Sequence, residues 1–183
     1  MAEKKEKHSS VLINRAPVLT LWTAVVAEML GFDHDEALTL GHAVAGLNAY
    51  SKGVALGLFQ PTPRAIKEQR QKLRRDEAVT VDLLHRAVPA RHTDEGLRAL
   101  SNDRPISPES VKRYLGSKFG DALDEVHEAM KELAKSLTPS ELAEKAYHLY
   151  EKFRPEIPPG KRGWGAPGKL DLDALRKMAN QMR

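Results

Sequence analysis

Residues 93–119 read TDEGLRALSNDRPISPESVKRYLGSKF, and the fold turns on whether this stretch is a pair of helices. The reading it invites is a short helix, a tight turn and a second helix bearing Lys112, Arg113 and Lys118. Ser107 caps the second helix and Pro108 opens it, the residue types that suit an N-cap and a first helical position. Glu109, Ser110, Lys112 and Arg113 then face outward near its start, while Val111, Tyr114 and Leu115 face a core. This is the outline of a helix-turn-helix, which sets a basic helix into a DNA groove. A plain helical corner has the same outline, so the charge elsewhere in the chain has to separate the two.

On the N-terminal side, Val79, Val81 and Leu83 alternate with Thr80, Asp82 and Leu84. That period of two predicts a strand, with a turn at His85-Arg86 and a second strand over Ala87 to His92; a helix competes for the same residues. Before it lies RAIKEQRQKLRR, residues 64–75, a helix capped by Thr62 and begun by Pro63, with six basic residues against one acid. Earlier still, apolar residues from Val18 to Met29 at three- and four-residue spacing predict a helix over Ala16 to Leu30. Gly31 stops it, and Asp33 with Glu36 forms a capping box for a second helix carrying Leu38, Leu40, Val44 and Leu47. Gly41 and Gly46 are places where a partner can come close, and the short link and opposing apolar faces predict an antiparallel helical hairpin.

On the C-terminal side, Gly116 and Gly120 separate Pro108–Leu115 from a longer helix near Phe119–Leu137. Thr138-Pro139-Ser140-Glu141 caps another, with Leu142, Ala146, Leu149, Tyr150 and Phe153 on one side. Prolines 155, 158 and 159 end regular structure, KRGWGAPGK reads as loop or tail, and Asp171 caps a short last helix.

The expected fold is therefore mainly α: a helical bundle built from an N-terminal helical hairpin and a C-terminal helix-turn-helix-like bundle, with room for one small β-hairpin near residues 79–92. The expected organisation is a mobile basic tail over 1–10, the hairpin over 11–60, and a basic connecting helix over 61–76. A helix-turn-helix-like part over 77–154 and a Pro/Gly-rich basic tail over 155–183 complete it.

Of 183 residues, 41% are hydrophobic and 30% charged, the balance of a folded chain rather than a disordered one. There is no cysteine, which excludes disulfides, thiolate metal sites and cysteine nucleophiles. The apolar run from Ala16 to Leu30 is shorter than a bilayer needs and holds Pro17 and Glu28, so no membrane partner is expected. The lysine-rich start is read as a tail rather than a leader, and the location as cytoplasmic.

The net charge of +4 favours nucleic acid as a partner, and its distribution favours it more. Arg64, Lys67, Arg70, Lys72, Arg74 and Arg75 are the candidate phosphate contacts, and Lys112, Arg113 and Lys118 the groove contact. PGKRGWGAPGK, residues 159–169, adds Lys161 and Arg162 in a flexible backbone that resembles the minor-groove hook of some chromatin proteins, though without their Arg-Gly-Arg-Pro core. Trp164 within it offers a ring to stack on a base.

Enzymatic constellations are thinner. The pair AVVAEMLGFDHDEALTLGHAVAG, residues 24–46, is similar to the helical pair of HD-type metal phosphohydrolases and their inactive relatives. Those families place a His-Asp doublet at the end of the second helix; here His34-Asp35 stands at its start, and the later position reads Gly46-Leu47-Asn48. The resemblance implies helical packing without the metal ligands. His34 or Asp35 and His42 are two helical turns apart, roughly 11 Å, too far for one ion. His85 and His92 could face one another across a hairpin, and each also reads as an ordinary polar surface residue. No Gly-rich phosphate loop and no nucleophile elbow is present. The expectation is thus non-enzymatic binding of nucleic acid, double-stranded DNA first, with no metal, cofactor or small-molecule ligand. The alternative is a protein-interaction module that oligomerises through the apolar Val11–Leu30 segment, and a third reading is an enzyme with an unfamiliar site.

Overall fold

The computed structural model describes residues 9–55, 78–101, 103–156 and 167–182. In chain order these form β1 (Ser10–Ile13), α1 (Arg15–Met29), α2 (His34–Ala55), β2 (Ala78–Leu83), β3 (Arg86–Thr93), β4 (Gly96–Ser101) and β5 (Arg104–Pro105). Then come α3 (Pro108–Phe119), a 3-10 turn at Gly120–Ala122, α4 (Leu123–Lys135), α5 (Pro139–Phe153), β6 (Gly168–Asp171) and α6 (Leu172–Met182). The architecture is mixed α/β, with two antiparallel sheets, and not the mainly α bundle that the sequence suggests.

The correction centres on residues 93–105. No helix forms over 93–101; these residues are the end of β3 and all of β4, in a four-stranded meander ordered β2-β3-β4-β5. The hairpin expected near 79–92 is the first half of that meander, with its turn one residue earlier, at Leu84-His85. Both turn residues lie in the left-handed region, at φ 49° and 61°. Twisted two-residue hairpins require that conformation, and it normally selects Asn or Gly. Leu84 tolerates it because its side chain is buried in the core. The next turn, Asp94-Glu95, is closed by Gly96 at φ +117°, and the Thr93 hydroxyl donates to the Gly96 carbonyl at 2.7 Å. The β3–β4 ladder starts at Ala90 opposite Ala99, one residue after Pro89, which has no N–H to donate.

β5 is only two residues long, so on the edge of β4 facing it the Leu97 and Ala99 N–H groups have no strand acceptor, although the Ala99 carbonyl accepts from the Ile106 N–H at 2.9 Å. The start of α2 covers that edge. The Glu36 carboxylate accepts from the Leu97 N–H at 2.8 Å, and the Thr39 hydroxyl accepts from the Ala99 N–H at 3.1 Å. Helix and sheet are joined here by side chains standing in for a missing strand.

The centre of the molecule is α1. Every residue from Pro17 to Ala27 is buried, because α2, α3, α4 and α5 all pack around it. A helix apolar on all sides belongs inside a core. Trp22 is fully buried, donates from Nε1 to the Ala146 carbonyl at 2.9 Å, and meets the Phe153 ring edge-on at 5.2 Å. α1 and α2 cross where Gly41 lies against the Thr20 carbonyl and the Ala24 N–H, the close approach its sequence position suggests; Gly46 instead faces open space. The segment read as a C-terminal tail holds β6, which pairs with β1 from Ser10↔Asp171 to Ile13↔Gly168. It also holds α6, whose Leu172, Leu175 and Ala179 enter the same core.

Candidate nucleic-acid interface

α3 is the one proposed contact element whose side chains the structure describes. Its local chemistry follows the sequence: Ser107 Oγ accepts from the Ser110 N–H at 3.4 Å, Pro108 opens the helix, and Gly120 at φ 55° ends it. The helix runs through Gly116 to Phe119, longer than expected. Val111, Leu115 and Phe119 are buried at four-residue spacing, with Tyr114 half-buried beside them.

What precedes α3 is β5, so the first helix of a helix-turn-helix is absent among the described residues. The three basic residues of α3 are exposed but do not form one strip. At about 100° per residue, Lys112 and Lys118 flank the buried face on opposite sides, and Arg113 points away from it. Lys112 forms an ion pair with Asp35 of α2 at 3.3 Å, and Arg113 donates to Ser110 Oγ at 3.4 Å.

The start of α3, where groove contacts would arise, borders a cleft of about 360 Å³ under the β3–β4 turn. Asp94, Glu95 and Glu109 line it, together with Arg98, which is only 6% exposed. The Arg98 guanidinium is used locally, donating to the Leu97 carbonyl at 3.0 Å and the Glu95 carbonyl at 3.3 Å. Three carboxylates against one committed arginine make this end of α3 unfavourable to phosphates.

Arg64, Lys67, Arg70, Lys72, Arg74 and Arg75 lie outside the described residues, as do Lys161, Arg162 and Trp164. Their sequence charge is nonetheless informative. The described residues carry 17 basic and 20 acidic side chains, a balance of −3, in a chain whose total is +4. All of the net positive charge therefore belongs to the remaining segments, with residues 64–75 the densest of them.

Sequence reasoning missed one further cationic place, where the start of α1 meets the end of α5. Arg15 Nε donates to the Pro155 carbonyl at 2.8 Å, and the Tyr150 hydroxyl donates to the Arg15 carbonyl at 3.5 Å. Burial pushes the Tyr150 hydroxyl up to about 12, which keeps it a donor. Burial first, and then the neighbouring Arg154, lowers the Arg15 pKa from its ordinary value. Arg15 and Arg154 are 139 residues apart in sequence, so no local pattern announces them.

The described histidines are not brought together as metal ligands. His85 sits in the turn and His92 pairs opposite Leu97, so they do not face each other across the hairpin. Among the described residues no group of three or more His, Asp or Glu side chains is placed to hold an ion. No helix among them is long and apolar enough to cross a membrane. Compared with protein-family models, curated proteins and solved structures, the chain matches none of them.

Proposed function

We propose that the protein binds nucleic acid without catalysis, through phosphate contacts made chiefly by Arg64, Lys67, Arg70, Lys72, Arg74 and Arg75. One observation carries this reading: the segregation of charge, with six basic residues and one acid in residues 64–75 while the described residues balance at −3. A segment of such charge density attracts a polyanion strongly, while the net negative balance of the described residues does not spread that attraction along the rest of the chain. Arg113 and Lys118 of α3, exposed and with no acidic partner among the described residues, add positive charge to the contact. Lys112 is less available because Asp35 holds it. For the alternative of oligomerisation through Val11–Leu30, α1 is buried from Pro17 to Ala27, which leaves Leu12 of β1, 73% exposed, as the apolar surface of that segment.

The test is a titration of a labelled DNA duplex at two salt concentrations. Binding should weaken steeply with salt, and Arg74→Ala with Arg75→Ala should lower the logarithmic salt slope by about two, roughly one for each phosphate no longer neutralised. Duplex binding that ignores both salt and these substitutions, or no binding at all, would refute the reading.

A further inference from the structure

We infer that Arg15, Arg154 and the rings of His85 and Tyr147 form a subsite for an unpaired nucleotide, a phosphate ester together with the planar base it carries. The subsite rests on the nucleic-acid reading above and adds to it a second place of contact, among the described residues.

Three elements build it. α1 brings Arg15 at its first residue, α5 brings Tyr147 and, at its C-cap, Arg154, and the β2–β3 turn brings His85. Tyr147, Tyr150 and Arg154 are spaced by three and four residues, so they line one side of α5. The Arg15 guanidinium is held beside Arg154 by its bond to the carbonyl of Pro155, the next residue. The His85 ring is exposed and stands 6.3 Å from Tyr147 at 68°, and Tyr147 in turn packs on Tyr150 at 5.9 Å.

Two features of this place point to a ligand. Among the described residues, Arg154 donates to nothing through its side chain, Arg15 uses only Nε, and neither makes an ion pair. The neighbouring acid, Glu156, is exposed and pairs with neither within 4.0 Å. Arg15 and Arg154 build a positive potential that Glu156, exposed and not ion-paired with either, only partly offsets, and a phosphate accepts from two guanidinium forks at once. The second feature is His85: the left-handed tip of the hairpin, a conformation that histidine adopts more readily than most side chains, presents an exposed imidazole next to the Tyr147 ring. An exposed ring beside an arginine pair suits base stacking on one side and phosphate capture on the other.

The experiment uses the full chain and fluorescence anisotropy, with a labelled single-stranded oligothymidylate of about ten nucleotides and a blunt duplex as probes. Arg154→Gln and His85→Ala, both at exposed or half-exposed positions, should each weaken the single strand about tenfold and the duplex less than about twofold. Arg74→Ala with Arg75→Ala should weaken both. Thymidine monophosphate should compete with the oligonucleotide only at far higher concentration. Equal effects of Arg154→Gln and His85→Ala on the two probes, or no effect on either, while Arg74 and Arg75 are still needed, overturn the subsite and leave the nucleic-acid reading standing. Competition by the monophosphate at the oligonucleotide's own concentration overturns the polymer as its ligand. Absence of binding to both probes removes subsite and parent reading together.

Discussion

The Glu36 carboxylate and the Leu97 N–H, 61 residues apart, meet at 2.8 Å and fix helix to sheet. The other Glu36 oxygen accepts from the Asp33 N–H at 3.1 Å, while Asp33 Oδ1 accepts from the Glu36 N–H at 2.8 Å. One side chain thus completes the capping box of α2 and closes the open edge of β4. Thr39 does the same one helical turn on, donating to the Glu36 carbonyl at 2.9 Å while accepting from Ala99.

Thr39 is fully buried, so Thr39→Val keeps its shape but leaves the Ala99 N–H without an acceptor. An unpaired buried donor costs about 1–3 kcal/mol. Urea unfolding should show a free energy lower by that amount, seen as a lower midpoint with an unchanged m-value. Glu36→Gln, which keeps one acceptor oxygen, should lose less than Glu36→Ala.

Gly41→Ala should destabilise by about 1–3 kcal/mol, since its methyl group would meet the Thr20 carbonyl where α1 and α2 cross. Gly46→Ala has nothing within 4 Å and replaces a helical glycine, so it should gain about 0.5–1 kcal/mol. Thermal unfolding of the two variants should therefore shift Tm in opposite directions. If both move the same way, the α1–α2 crossing is not where Gly41 places it.

These contrasts show which parts of the fold could be read from the chain. The caps at Asp33, Ser107, Thr138 and Asp171 are legible because each satisfies an N–H three residues on, within a single turn. β4 is not legible. All of Leu97, Arg98, Ala99 and Leu100 are buried, so the alternation that marks a half-exposed strand is missing. Leu97 and Leu100 also stand three apart, as on a helix. What makes the segment a strand is Gly96 in the turn and the acceptors supplied from α2, neither of which is a local pattern. Of the candidate site, segment charge could be read directly, whereas the meeting of Arg15 with Arg154 depends on the tertiary packing of α1 against α5.

Stability should fall on the acid side through His127 and His42. Burial lowers the pKa of His127, helped by Lys131 and His34 and opposed by Glu28 and Glu128; burial alone lowers that of His42. A histidine with a folded pKa below its unfolded value near 6.5 binds more protons when unfolded, so stability is complete above that value and declines as pH drops through the folded pKa. Urea midpoints at neutral pH and about one and a half units lower should reveal the slope. His127→Gln and His42→Gln should each flatten it, and an unaltered slope in both would assign the acid loss to other groups.

The Lys112–Asp35 pair offers a direct measure of how far α3 takes part in binding. Both side chains are partly exposed, and such a pair contributes at most about 1 kcal/mol to stability. Asp35→Asn should therefore leave unfolding nearly unchanged. For binding, the same substitution removes a negative charge beside Lys112 and frees its ammonium for a phosphate. If α3 lies at the contact, duplex affinity at low salt should rise by about fivefold or less, the equivalent of up to about 1 kcal/mol. Lys112→Ala should cancel that gain when the two substitutions are combined. A duplex affinity indifferent to both changes would remove α3 from the interface and leave residues 64–75 as its source.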